Sequence, residues 1–221
     1  MNAPQHRFVR DRELTLPIWP SARPLVSQAK GEWRLTAGLF AAALGYATLR
    51  YNVFKGVPWS DWPAYVVNKG LAVASLLIMA AAVWRWRLGR GPARVLIAAA
   101  GVLALAHSLL SFALLDPAYY ERLFTAGKLT PTAGLSITLG VLAMAAMDLG
   151  ARRGEHWPRR VRVRSLALVA LGSGLHAALP AIAGWLEPAK WPGGLPPLTL
   201  ISFVAGLVAL AAGFRHLRNR A

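Results

Sequence analysis

From Trp33 onward, long apolar runs alternate with short clusters of arginine, tryptophan, proline and glycine. Each run approaches the roughly 20 residues that a membrane-crossing helix needs. Six helical spans are predicted, over Trp33–Asn52, Trp62–Trp84, Pro92–Leu115, Leu129–Leu149, Arg162–Leu186 and Pro197–Phe214. The links are short, so neighbouring helices are expected to run antiparallel. The fold class is therefore all-α, a polytopic six-transmembrane-helix bundle over residues 32–216. Residues 1–31 are polar, basic and proline-bearing, with no apolar stretch near the start. They predict a cytoplasmic tail lying on the headgroups rather than a cleaved signal peptide. Residues 217–221 predict a second short, basic cytoplasmic tail, and no internal repeat or soluble domain is evident.

Composition agrees with this pattern. Hydrophobic residues make up 56% and charged residues 15% of the 221, with a mean hydropathy of +0.42, so the first partner expected is the lipid bilayer. The formal charge of +16 matters through its distribution. Arginines fill the second loop (Arg85, Arg87, Arg90, Arg94), the fourth (Arg152 to Arg164) and the segment after the last span, on the same side as the basic tail. The opposite side holds only Arg50, Lys55, Arg122, Lys128 and Lys190. The positive-inside rule then places both termini in the cytoplasm. Nucleic-acid binding is not expected, because it needs a basic surface on an aqueous module. Two tryptophan belts fit the interfaces, Trp59, Trp62, Trp185 and Trp191 outside and Trp33, Trp84, Trp86 and Trp157 inside. The absence of cysteine rules out thiolate haem ligation and iron–sulfur clusters, leaving imidazole, carboxylate and methionine as metal ligands.

Two histidines interrupt the apolar runs, where an ionisable group is costly without a partner. His107 lies thirteen positions past Arg94 and His176 twelve past Arg164. At the helical rise these are depths of about 20 Å and about 18 Å on two spans that both run outward. Equal height on two helices is what one porphyrin needs, since its axial ligands approach the iron from opposite faces. One b-type haem bound by His107 and His176 is therefore expected. Gly172 and Ser173, one turn before His176, and Ser111, on the His107 face, keep bulk low where a ring enters. Pro180 predicts a kink beside His176. Lys69, at a similar depth in the second span, either pairs with a haem propionate or snorkels to the outer interface. His6, His156 and His216 fall where an imidazole can be hydrated. No buried carboxylate pair, phosphate loop, catalytic triad or zinc motif is evident.

Leu105-Ala-His107-Ser-Leu-Leu-Ser-Phe-Ala-Leu-Leu-Asp116 and Leu129-Thr-Pro-Thr-Ala-Gly-Leu-Ser-Ile-Thr-Leu-Gly140 resemble the third helix and the entry to the fourth in the ferric reductase-like transmembrane domain superfamily. The likeness is closest to its MsrQ/YedZ family of haem-bearing membrane subunits and covers spans two to five. Bis-haem members carry a second, deeper histidine on each ligand helix, where this chain has Ala93 or Arg94 and Val163. The usual Trp-x-x-Leu-His entry to helix five is replaced by Arg160-Val-Arg-Val-Arg164. A single outer haem is the expectation, as in the single-haem mammalian metalloreductases, but without their nucleotide domain.

The resemblance implies an electron-transfer component of a bacterial inner membrane, acting as a ferric reductase-like membrane oxidoreductase. The electrons are expected from a quinol, from a flavin or quinone at the inner side, or from a separate cytoplasmic reductase. The acceptor would be an outer-face redox partner or a ferric chelate drawn by Arg50, Lys55, Arg122 and Lys128. The alternative is a cofactor-free membrane transporter, or a scaffold for a larger complex.

Overall fold

A computed structural model describes residues 23–90, 93–153 and 156–215, with no side-chain description for 23–27. His6, His216 and most of the two tails lie outside the described residues. The architecture is nearly all-α: α1 (Arg23–Thr48), α2 (Val67–Arg87), α3 (Arg94–Ala113), α4 (Pro131–Arg153), α5 (Arg159–Ala178) and α6 (Leu198–Phe214). Four stretches are long and apolar enough to cross a membrane, Trp59–Arg87, Arg94–Ala113, Pro131–Arg153 and Pro192–Phe214. Helices α1 and α5 have the length, at 26 and 20 residues, but charges such as Lys30, Glu32 and Arg34, or Arg159 to Arg164, lower their hydropathy.

Helix α2 is the axis of the bundle, packing against α1, α3, α5 and α6. Its buried residues point in every direction, among them Val73, Leu76, Ile78, Met79 and Val83, as expected of a helix that is apolar all round. Helices α5 and α6 make the closest contact. A Cβ on Gly206 would lie 2.8 Å from the Ala170 carbonyl oxygen, and one on Gly213 would lie 2.6 Å from the Ala167 Cβ. Small residues let the two backbones meet, which in lipid is a main source of helix association. By contrast α3 and α4 scarcely touch one another and turn large apolar side chains outward.

Three expectations about the elements are revised. The first helix begins at Arg23, inside the stretch read as tail, and it ends in a π-helical turn over Leu49–Phe54. The early start brings Glu32 into the bundle. Its side chain accepts the Val95 backbone N–H at 3.0 Å and pairs with Arg85 at 3.4 Å, satisfying one of the free N–H groups at the start of α3. The fifth helix stops at Ala178, not Leu186, because Pro180 cannot continue the hydrogen-bond ladder; a 3-10 turn follows over Ile182–Leu186. The expected kink is therefore a helix end. Between α3 and α4 a two-residue hairpin pairs Phe124 with Leu129 and Thr125 with Lys128. Ala126 and Gly127 turn it, both at positive φ (49° and 74°). Trp86, assigned to the inner belt, is instead buried beneath the Arg162 guanidinium.

Candidate functional site: a two-histidine cavity

Helices α2, α3, α4 and α5 surround a cavity of about 970 Å³ in the half of the bundle away from the arginine-rich helix ends. It is at the upper end of the range for small-molecule sites. His107 comes to it from α3 and His176 from α5, with ring centroids 6.5 Å apart and ring planes at 65°. Exposed Leu105, Leu109, Phe112 and Val141 also line the cavity, so its open side lies between α3 and α4, towards the lipid-facing surface.

Hydrogen bonds fix the tautomer of both rings. Asn68, at 0% exposure, donates its amide N–H groups to Ser111 Oγ at 3.0 Å and Tyr120 Oη at 2.8 Å. Its Oδ1, 2.7 Å from His107 Nδ1, can only accept, so that nitrogen carries the proton. His176 Nδ1 lies 2.7 Å from the Ser136 backbone carbonyl, which again can only accept. In each neutral ring the lone pair is therefore on Nε2, and neither Nε2 has a hydrogen-bond partner among the described residues. An Nδ1–H held by an oxygen acceptor is the usual partner arrangement of a metal-binding histidine.

Pro180 contributes a second effect. With no N–H at that position, the His176 carbonyl loses its helical partner, and Ser136 Oγ donates to it at 2.7 Å. Ser136 thus clamps His176 at both its ring and its backbone. One turn on along α4, Gly140 makes room for the ring. A Cβ there would lie 3.0 Å from His176 Nδ1 and 3.2 Å from Cε1.

The outer rim is aromatic and cationic. Tyr65 packs against Tyr51, Tyr119 and Tyr120 with centroids 5.7, 6.1 and 6.2 Å away. The Lys69 Nζ lies 4.4 Å from the Tyr65 ring centre and 4.6 Å from that of Tyr120. Burial holds the Tyr120 phenol above its ordinary pKa, opposed by its hydrogen bonds with Ser111 and Asn68, so it stays protonated.

Of the residues singled out from sequence, His107, His176, Lys69 and Ser111 line this cavity. Gly172 and Ser173 do not. Gly172 faces a separate crevice between α4 and α5, and Ser173 Oγ bonds back to the Val169 carbonyl of its own helix. The ring's access is provided by Gly140 on the neighbouring helix instead. His156 is exposed. Asn68, Ser136, Gly140 and Tyr120 went unassigned. A polar Asn68 beside Lys69 at a span entrance was a usable signal, and so was Pro180 four residues after His176; nothing in sequence separates Gly140 from other glycines.

The spacing of the rings, 6.5 Å between centres, is close to that of two imidazoles bound to one metal. Two imidazoles each bound at about 2.0 Å put their ring centres about 6 Å apart. Among the described residues no group of three or more His, Cys, Asp or Glu assembles, so any further ligands would have to arrive with the metal, as they do in a porphyrin. Compared with protein-family models, curated proteins and solved structures, the chain matches none of them.

Proposed function

We propose that this chain is a six-span membrane protein that binds one b-type haem through His107 and His176 and passes electrons from a cytoplasmic-side donor to an acceptor on the outer face. The observation that carries the reading is the pair of imidazoles with ring centres 6.5 Å apart, each with Nδ1–H tied to an oxygen and Nε2 free, at one cavity. When bound, the haem supplies reversible one-electron chemistry.

The residues of the chain account for the rest. His107 and His176 would hold the haem, and with both imidazoles engaged the chemistry it would supply is electron transfer rather than oxygen activation. Asn68 and Ser136 hold the two rings in one tautomer and raise their basicity as ligands. Leu105, Leu109 and Phe112 line the open side of the cavity with apolar surface. Both termini are assigned to the cytoplasm on the arginine distribution, which sets the direction of transfer. The donor is a quinol, a flavin or quinone at the inner side, or a separate reductase. The acceptor is an outer-face redox partner or a ferric chelate.

The test is spectroscopic. The full chain, expressed with haem supply and purified in detergent, should give the sharp reduced bands of a low-spin b-type haem. His107→Ala and His176→Ala should each abolish them while circular dichroism stays helical. A well-folded, colourless wild-type protein would establish the cofactor-free transporter or scaffold instead.

A further inference from the structure

Charge does not balance at the outer end of the cavity. The Arg50 guanidinium, Lys55 Nζ and Lys69 Nζ lie 6.0, 5.6 and 5.9 Å from the centre of one ring, that of Tyr51. They come from three places in the chain: the π-helical end of α1, the turn after it and the first turn of α2. The ion pairs among the described residues lie elsewhere, at Arg85–Glu32, Arg152–Asp148 and Lys190–Glu187, and none includes these three cations. Arg50 donates one N–H to the Leu195 carbonyl, yet its Nε–H is buried with no acceptor. The Lys55 ammonium is pushed below its ordinary pKa, first by burial and then by Arg122 and Arg50, with Glu121 opposing.

Three like charges around one phenol repel one another, and withdrawal from water makes the buried Arg50 and the half-buried Lys69 more costly. The tyrosine faces offset part of this, but a ring quadrupole carries no net charge. An anion reaching the same place would meet an orphaned guanidinium N–H and two ammonium groups, donors that bind carboxylates in short, charge-assisted hydrogen bonds. The wall below is apolar, with Leu109, Phe112 and Ile137. This arrangement suits a ligand whose acid groups sit at one edge of an apolar body.

We propose that Arg50, Lys55 and Lys69 form a carboxylate-binding subsite at the outer mouth of the cavity. Its occupant is either the carboxylate edge of a macrocycle held between the histidines or a free polycarboxylate of the kind that chelates ferric iron. The first source rests on the haem reading above; the second stands without it.

The experiment uses the full chain in detergent as wild type, Lys69→Met and Lys55→Met. Haemin and haemin dimethyl ester, which lacks the free acids, are titrated by absorbance. Citrate is titrated by calorimetry, with inorganic phosphate as the control. A preference of about tenfold or more for haemin over its ester, lost in the variants, supports the subsite with the macrocycle as the source. Equal binding of the two porphyrins, with citrate binding that falls about tenfold in the variants, supports it with the free anion as the source.

Equal porphyrin affinities in all three proteins and no citrate heat overturn the subsite and leave the haem reading intact. If neither porphyrin binds, the haem reading fails, and the citrate titration alone decides: loss in the variants upholds the subsite, and no binding overturns it. Phosphate binding as strong as citrate binding overturns the carboxylate assignment. Lys55 is exposed, so its variant carries the test if Lys69→Met does not fold.

Discussion

The half of the bundle at the arginine-rich helix ends, called inner below, and the half that holds the cavity, called outer, are built on different terms. In the inner half the buried carboxylate of Glu32, 1% exposed, is paired with Arg85 and also receives the Val95 N–H and the Gln28 amide. Around it Ile78, Met79, Val83, Leu96 and Val163 pack without exposure, and Gly213 brings α6 onto α5. In the outer half the helices part around a cavity of about 970 Å³, where the Lys69 ammonium lies against the Tyr65 and Tyr120 rings. The inner half pairs its buried carboxylate, whereas the outer half brings two imidazoles and three cations to one cavity. A fold that needed only stability would have no reason to treat its two ends so differently.

Substitutions at the two ends should separate these roles. The largest effect is expected from His107→Ala or His176→Ala, with complete loss of the reduced b-type bands and little change in thermal midpoint in the absence of haem. The inner-half counterpart is Glu32→Ala, which strands Arg85 and a helix-start N–H. It should cost about 3 kcal/mol, at the lower end for a broken buried pair because Arg85 keeps some contact with solvent. Equilibrium unfolding in detergent measures that cost. Haem binding in the surviving folded fraction should be unchanged, and a loss of haem binding there would erase the distinction between the halves.

Smaller changes sharpen the comparison within the outer half. Gly140→Ala places a Cβ against the His176 ring and should cost about 1–3 kcal/mol by overpacking, together with weaker haem binding. Gly134→Ala, one and a half turns earlier on the same helix, meets nothing within 4 Å and should be neutral or stabilising by about 0.5–1 kcal/mol. Equal effects at the two positions, by thermal melt and haemin titration, would mean that Gly140 is not there for the ring. Ser136→Ala should cost about 1 kcal/mol by leaving the His176 carbonyl without a donor. A double variant with Pro180→Ala restores a backbone N–H four residues on and should recover part of that loss. No recovery would break the proposed link between the proline and the serine.

The legibility of this chain divides along physical lines. Helix positions could be read because apolar runs and their basic or proline-rich ends are local features, and α2, α3, α4 and α6 lie within a few residues of where the pattern puts them. Pro180 was legible as a backbone interruption but not as a helix end, since the choice depends on whether a neighbour takes the freed carbonyl. Here Ser136 takes it. Equal height of the two histidines followed from counting along straight helices. That their rings meet at one cavity did not, because rotation of α3 about its own axis is set by packing against α2. Gly172 and Ser173 were chosen for being near His176 in sequence, whereas clearance for a side chain is set by the helix opposite, where Gly140 lies.

The sequence alone determined an apolar helical chain with a one-sided distribution of arginine, and it put two imidazoles at one depth, because hydrophobic runs, charge and rise per residue are properties of the chain itself. Tertiary structure decided which nitrogen of each ring is free, which side chains clamp them, and that Arg50, Lys55 and Lys69 gather at one phenol. Those are relations between residues on different helices, fixed by helix rotation and close approach, and no local pattern encodes them.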